Sequence, residues 1–315
     1  MTSDLQNFLS QLANGLAEEL ARHVALSQRK FTVCPGPWKV RRLRTQLLRL
    51  ATRTFGHTLR VKAVPFWRHP MVVVFPETVS VAIYRDGFHE PGLTTMLLRF
   101  LQEGMTFLDV GAHFGYFSLL AARRVGKTGS VYSFEPSPAT FSVLEQNVRG
   151  VPNIVAENKA VWSRSGTLSF GECAPEFSGL SSFYSPRIAE HKRQRVRIQK
   201  IDVPAISLDE YVEARELHPD FVKIDAESAE MEVLLGMQAT LSRFQPTVTL
   251  EVGDILPDAP VLSRELVQYM LDRGYQAFEY AGGAIIPHKV RDKYTYDNIL
   301  FVPNSRTADN RSGNA

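Results

Sequence analysis

From Leu93 onward, strand-like and helix-like segments alternate, and this pattern restricts the fold more than any other feature of the chain. The spacing predicts a helix over 93–102, a strand over 106–110, a helix over 114–125, a strand over 130–134, a helix over 139–148 and a strand over 154–156. After a long irregular stretch it predicts a strand over 221–224, a helix over 229–242, a strand over 247–252 and a helix over 262–273. Two strands, 275–280 and 298–302, close the series. Such alternation calls for an α/β fold: a mostly parallel, seven-stranded sheet with helices on both faces. The two closing strands are joined too briefly for a helical crossover and should pair antiparallel.

The segment before this region has a different composition. Residues 5–26 place apolar side chains at helical spacing, and Cys34-Pro35-Gly36-Pro37 breaks the pattern. A second amphipathic helix is expected from Trp38 to Phe55, with five arginines around an apolar stripe. Strand-like runs at 59–64, 71–75 and 79–84 follow. The expected organisation is a basic helical N-terminal extension over 1–62, a β-rich lead-in over 63–103, the main domain over 104–303 and a polar tail over 304–315.

Charge divides along the same line. Leu20 to Pro76 contains 12 Lys or Arg and no Asp or Glu, while the rest of the chain has 24 basic and 33 acidic residues, a net of −9. The N-terminal part is therefore expected to face something anionic. An anionic membrane surface contacting residues 20–76 is one candidate. Packing against the main domain or a homodimer partner is another. Nucleic acid is disfavoured because no aromatic-rich RNA-binding motif is present. The apolar runs are too short to span a bilayer, no leader pattern is visible, and the two cysteines, Cys34 and Cys173, suit a reducing compartment. A cytoplasmic location, with the membrane periphery left open, is the expectation.

Three motifs carry the chemistry. The first, Asp109-Val110-Gly111-Ala112-His113-Phe114-Gly115, joins a strand to a helix. Glycines there let the backbone turn tightly and approach a ligand closely, at the edge where open α/β sheets bind ligands. Three residues separate Gly111 from Gly115, and the dinucleotide spacing G-x-G-x-x-G is absent, as is a phosphate-binding Gly-Lys-Ser/Thr. The turn leaves room for a ligand without phosphate, such as S-adenosylmethionine, although a plain strand–turn–helix could carry the same glycines. The second motif ends the next strand with Glu135, 20 residues after Gly115. A carboxylate at that point can accept both hydroxyls of a ribose. The third, Phe221-Val222-Lys223-Ile224-Asp225-Ala226-Glu227-Ser228-Ala229-Glu230, delivers Asp225 and Glu227 to the same sheet edge, with Glu230 in the first helical turn. Asp225 and Glu227 could orient an amino group, take a proton from a hydroxyl or, with Glu251, hold a divalent ion. No metal is assigned.

In this order the motifs resemble the FkbM-type S-adenosylmethionine-dependent methyltransferases. The resemblance includes Gly87-Phe88-His89-Glu90-Pro91, Gly104-Met105, Ala160-Val161, Ser207-Leu208-Asp209 and Asn298-Ile299-Leu300-Phe301-Val302-Pro303, and it covers about residues 79–303. It implies a class I Rossmann-like methyltransferase with S-adenosyl-L-methionine as cofactor. By this resemblance Asp109, Gly111, His113 and Gly115 form the turn beside the methionine half, and Glu135 takes the ribose. Ala160 and Val161 line the adenine, and Asp225 and Glu227 sit near the transferable methyl. Two departures stand out. His113 occupies a position usually held by Asn, and Ser228 replaces a glycine, which strains the backbone if that site needs positive φ.

The implied reaction is methylation of a hydroxyl on a sugar, glycolipid or polyketide-like natural product. Asp225, Glu227 and His113 are the candidate catalytic groups, with His89 behind them. The insertion between Ser165 and Pro204 is expected to cover the acceptor pocket with Phe177, the run from Ser178 to Ser182, Phe183 and Tyr184, and the basic stretch 191–195. A non-catalytic scaffold that keeps the cofactor fold and a nicotinamide-dependent oxidoreductase are the competing expectations.

Overall fold

The computed structural model describes residues 15–28, 36–184, 196–254 and 261–306. The start of the first expected helix, Cys34, the basic stretch 191–195 and most of the polar tail lie outside the described residues.

The chain enters through helices α1 (Gly15–Ser27) and α2 (Gly36–Phe55) and an antiparallel hairpin, β1 (Leu59–Ala63) with β2 (Met71–Phe75). Helices α3 (Thr78–Asp86) and α4 (Pro91–Phe100) follow. The main sheet then begins with β3 (Thr106–Val110), α5 (Tyr116–Val125), β4 (Ser130–Phe134), α6 (Pro138–Val148) and β5 (Ile154–Glu157). A three-stranded sheet interrupts it: β6 (Ala160–Val161), β7 (Gly166–Cys173) and β8 (Ile198–Ile206), in the order β6-β8-β7. The main sheet resumes with α7 (Leu208–Ala214), β9 (Phe221–Ile224), α8 (Glu230–Leu235), α9 (Gln238–Phe244), β10 (Thr247–Val252) and α10 (Ser263–Leu271). It closes with β11 (Tyr275–Ala281), β12 (Ala284–Pro287) and β13 (Asp297–Pro303).

Among the described residues the main sheet has eight strands, ordered β12-β11-β13-β10-β9-β3-β4-β5, so the seven-stranded expectation is corrected. All seven expected strands are present. The eighth, β12, folds back antiparallel on β11 through Gly282 and Gly283, both at positive φ. Its exposed edge position mutes its apolar pattern in the sequence. As expected, β11 and β13 pair antiparallel.

A second correction concerns residues 79–84, expected as a strand in a β-rich lead-in. They form helix α3, and with α4 the helical residues of 63–103 outnumber those in strands. The alternation Val79-x-Val81-x-Ile83 misleads because α3 is enclosed by α1, α2 and β2, leaving none of residues 79–86 exposed. A helix wrapped on all sides loses its 3.6-residue polarity period. Its ends follow local rules: the Glu77 carboxylate accepts from the amides of Val79 and Ser80, and Gly87 closes the helix at φ 82°.

Each face of the sheet builds its own core. Phe107, Val131, Phe221 and Leu300 turn toward α4, α5 and α6, and Leu20 of α1 joins that cluster. Leu108, Val222, Leu250 and Phe301 turn toward α7 to α10. The alternation places Asp109 and Lys223, register partners on β3 and β9, on the first of these faces.

Candidate active site

Strand β3 lies between β4 and β9, and the chain leaves it in opposite directions. The loops after β3 and β9 therefore diverge to opposite faces and leave a crevice at the strand ends. A cavity of about 210 Å³ occupies this crevice and joins Gly111, Glu135 and Asp225.

The two loops touch at Gly111. Its φ is 74°, and a Cβ there would stand 1.8 Å from the carbonyl oxygen of Asp225, so both conformation and space demand glycine. Gly115 (φ 85°) does not line the cavity; a Cβ there would meet Leu144 Cδ1 at 2.7 Å. Asp109 is also behind the cavity wall. It is fully buried, accepts from Ser118 Oγ at 2.6 Å and pairs with Lys223 Nζ at 3.1 Å.

Glu135 leaves the end of β4 into the cavity wall. One carboxylate oxygen accepts from the His113 amide and the other from the Ser137 amide, each at 3.0 Å. Each oxygen keeps a further lone pair for a ligand hydroxyl. Burial pushes the Glu135 carboxyl up to about 7, against the opposing pull of the two amides and Lys223. His113 itself sits at φ 51°, with its ring against Phe114 and Nε2 at 2.8 Å from Ser178 Oγ. Burial lowers its pKa, so the imidazole is neutral at pH 7. Ala160, Val161 and Phe170 from the inserted sheet, with Phe183 from the segment between β7 and β8, give the cavity its apolar lining on the Glu135 side.

The opposite wall is acidic. Asp225, Glu227 and Glu251 each place a carboxylate oxygen within 4.8 Å of the others, a set that could hold a metal ion. Glu90 adds a fourth carboxylate, bonded by the Tyr296 hydroxyl and by Asn298 Nδ2 at 3.3 Å. Beneath them Lys223 is buried, 3.6 Å from Asp225 Oδ2, and donates to the Gly111 carbonyl at 3.0 Å. Burial alone would lower its pKa, but Asp109 and Asp225 more than offset this and hold it above the ordinary lysine value. The loop that carries the acids is bent: Glu227 has φ 47° and Ser228 φ 83°. The Ser182 hydroxyl donates to the Glu227 carbonyl at 2.6 Å, and Glu230 accepts from the Ser228 amide at 3.1 Å. Glu230, read from sequence as a helix-start charge, is buried and braces this bend.

Gly111, His113, Glu135, Ala160, Val161, Asp225 and Glu227 thus share one cavity with His89, while Asp109 and Gly115 support it from behind. From the insertion, Ser178, Gly179, Ser181 and Phe183 reach the same cavity. Sequence reasoning missed Lys223 as a site residue. Its signal was a cation in the otherwise apolar strand Phe221-Val222-Lys223-Ile224, to be matched with the lone acid of Thr106-Phe107-Leu108-Asp109-Val110. Tyr296 was also missed, and nothing in its sequence neighbourhood marks it.

The Methyltransferase FkbM domain matches residues 109–277, slightly more than half of the chain. The chain therefore belongs to the FkbM methyltransferase family, whose cofactor is S-adenosyl-L-methionine, with the expected Rossmann-like α/β class. It is 31% identical over 159 residues to the hexuronic acid methyltransferase AglP of Haloferax volcanii, a match that spans 50% of this chain and 60% of that protein. It is 28% identical over 141 residues to a protein-L-isoaspartate O-methyltransferase of Methanothrix thermoacetophila, covering 41% and 66%. The FkbM methyltransferase structure from Methylobacillus flagellatus overlaps with a TM-score of 0.40 at 15% identity, over 69% of this chain and 45% of that one. The chain thus spans about two thirds or less of the length of these relatives.

The cavity suits the cofactor by its donor set. Glu135 is a buried carboxylate with acceptor capacity left over, Ala160, Val161 and Phe170 offer apolar surface, and Asp225, Glu227 and Glu251 offer negative charge, a set that fits a nucleoside carrying ribose hydroxyls, a flat base and positive charge.

Proposed function

We propose that this chain transfers a methyl group from S-adenosylmethionine to a hydroxyl oxygen, with an uncharged sugar or similar polyol as acceptor. The observation that carries this reading is the single cavity joining Gly111, Glu135 and Asp225.

When bound, the cofactor supplies an electrophilic methyl on a positively charged sulfur. Because that leaving group is already good, the protein's main contribution is alignment. Glu135 anchors the sugar of the cofactor, Ala160 and Val161 flank the base, and the Gly111 turn lets the backbone approach. Asp225 and Glu227 orient the acceptor hydroxyl, and one of them accepts its proton as the new carbon–oxygen bond forms and the carbon–sulfur bond breaks. His113 holds the cofactor side through its amide on Glu135 and its ring nitrogen on Ser178, and this makes it a positioning group rather than the base.

Charge refines the acceptor. The Haloferax volcanii relative acts on a hexuronic acid. Here the acceptor wall carries Glu90, Asp225, Glu227 and Glu251, and its cation, Lys223, is buried and paired. An acidic wall repels a carboxylate and favours a neutral hydroxyl. A scaffold without catalysis is the second reading, motivated by Ser228 in place of glycine. The nicotinamide reading gives way to the family match.

The test is formation of S-adenosylhomocysteine by the full chain with a panel of neutral glycosides and uronates, run with and without a divalent ion. Turnover on neutral glycosides that Asp225→Asn and Glu227→Gln reduce, with cofactor affinity retained in calorimetry, is the expected result. Cofactor binding without turnover on any acceptor would favour the scaffold.

A further inference from the structure

Helix α2 has two unlike faces. Trp38, Thr45 and Thr52 are buried against the body, with Arg41 donating to the Val64 carbonyl and Arg42 to the Ser27 carbonyl. On the opposite side Val40, Leu43, Leu47 and Leu50 follow one another at spacings of three, four and three residues and are 49%, 57%, 57% and 61% exposed. At 100° per residue these four fall within one narrow outward stripe. Lys39 and Arg53 border one margin and Arg44 the other. A row of large aliphatic side chains turned to solvent is costly unless something covers it.

We infer that this outward stripe of α2 is a docking surface for an anionic lipid bilayer, which takes up the aliphatic row while the flanking cations meet the headgroups. Charge decides the occupant. The helix carries Lys39, Arg41, Arg42, Arg44, Arg49 and Arg53 and no acidic residue. A second copy pairing through the same stripe would bring Lys39, Arg44 and Arg53 against their own kind with no acid to offset them. An anionic surface meets both features at once: apolar side chains enter the acyl boundary and cations lie at the phosphates. Among the described residues no helix is long and apolar enough to cross a membrane, so this is attachment in the plane of the surface.

The position of the stripe gives it a use. Helix α2 packs on α3, and α3 contributes Val79 and Ile83 to the wall of the cavity. A bilayer held on α2 is thus one helix away from the site, within reach of an acceptor anchored in the lipid. The docking itself stands independently of the methyl-transfer chemistry.

Flotation of the full chain with vesicles containing phosphatidylglycerol, compared with vesicles of phosphatidylcholine alone, tests the inference. The protein should float with the anionic vesicles only and be released by high salt. Leu43→Ser with Leu47→Ser, and separately Lys39→Glu with Arg44→Glu, should each weaken partitioning about tenfold or more while the circular dichroism melt is unchanged. Leu43, Arg44 and Leu47 are exposed and Lys39 is half-buried, so folding should survive. No flotation of the unaltered chain overturns the inference, as does flotation that both variant pairs retain. A dimer that Leu43→Ser with Leu47→Ser dissociates would assign the stripe to a second copy instead. Flotation that begins only after removal of residues 1–14 would assign it to the chain's own N-terminus. Retention on duplex RNA without flotation would assign it to nucleic acid.

Discussion

The two walls of the cavity are built by different means. The wall around Gly111 and Glu135 uses backbone: a glycine bend pressed against the neighbouring loop, two amides on one buried carboxylate, and small apolar residues beside it. The wall around Asp225 uses side chains, four carboxylates over one buried lysine, on a loop where Glu227 and Ser228 hold positive φ without being glycine. A constant ligand such as a nucleoside can be met by backbone geometry, which substitutions hardly change. A wall of side chains can be altered one residue at a time, and crowding four carboxylates together needs a buried counter-charge and some backbone strain.

The largest effect is expected on the side-chain wall. Lys223→Met leaves Asp109 buried without its cation and should cost about 3–5 kcal/mol in denaturant unfolding. Adding Asp109→Asn should recover part of that loss, since the two residues are directly coupled. Full stability in the single variant would show that the acidic wall does not need its counter-charge.

On the backbone wall, Gly111→Ala should cost about 2–4 kcal/mol through overpacking against the Asp225 carbonyl together with positive-φ strain. Because the two walls touch at this point, cofactor affinity should fall as well, as calorimetry would register.

Glu135 sharpens the comparison through pH. Glu135→Ala should weaken cofactor binding by about 1–3 kcal/mol, because it leaves the ribose hydroxyls without acceptors. Its carboxyl is raised in the fold, from the ordinary 4.5 to about 7, so burial favours the protonated form. Its contribution to stability is therefore fully present below about pH 4.5 and lost as pH rises through about 7. Ribose hydroxyls need the ionised form, so cofactor affinity should rise over the interval in which this contribution to unliganded stability falls. Melting and calorimetric titrations at pH 6 and pH 8 would reveal the opposed trends, and Glu135→Gln should flatten both.

The smallest effect tests strain on the acidic wall. Ser228→Gly removes a side chain at φ 83° and should raise stability by about 1 kcal/mol in thermal melting. A loss instead would mean that the Ser228 side chain contributes more than the bend costs.

Much of this architecture was legible in the chain, and the reasons are local. Strand and helix periods report which side of an element is apolar, so the seven expected strands and helices α4, α5, α6 and α10 follow from neighbouring residues alone. By contrast, the helix expected over 229–242 breaks at Gly236 into α8 and α9, and the stretch expected to be irregular holds β6, β7, β8 and α7. Glycines next to a strand end, and acids just past one, likewise mark the crevice without reference to distant parts. Helix α3 shows where that logic stops: enclosed on all sides, it lost the polar face that identifies a helix. Strand β12 shows the converse, an edge with too little burial to leave a pattern.

What the sequence determined by itself was therefore the layer architecture, the ordered motifs that align with the FkbM family and the basic character of the N-terminal part. Only the tertiary structure decided that Lys223 would lie between Asp109 and Asp225, that Glu90 and Tyr296 would join the acidic wall, and that the leucines of α2 would face outward. Such pairings depend on strand register and helix docking between segments as much as 206 residues apart. Periodicity tells whether a side chain is covered, and only the packed chain tells by what.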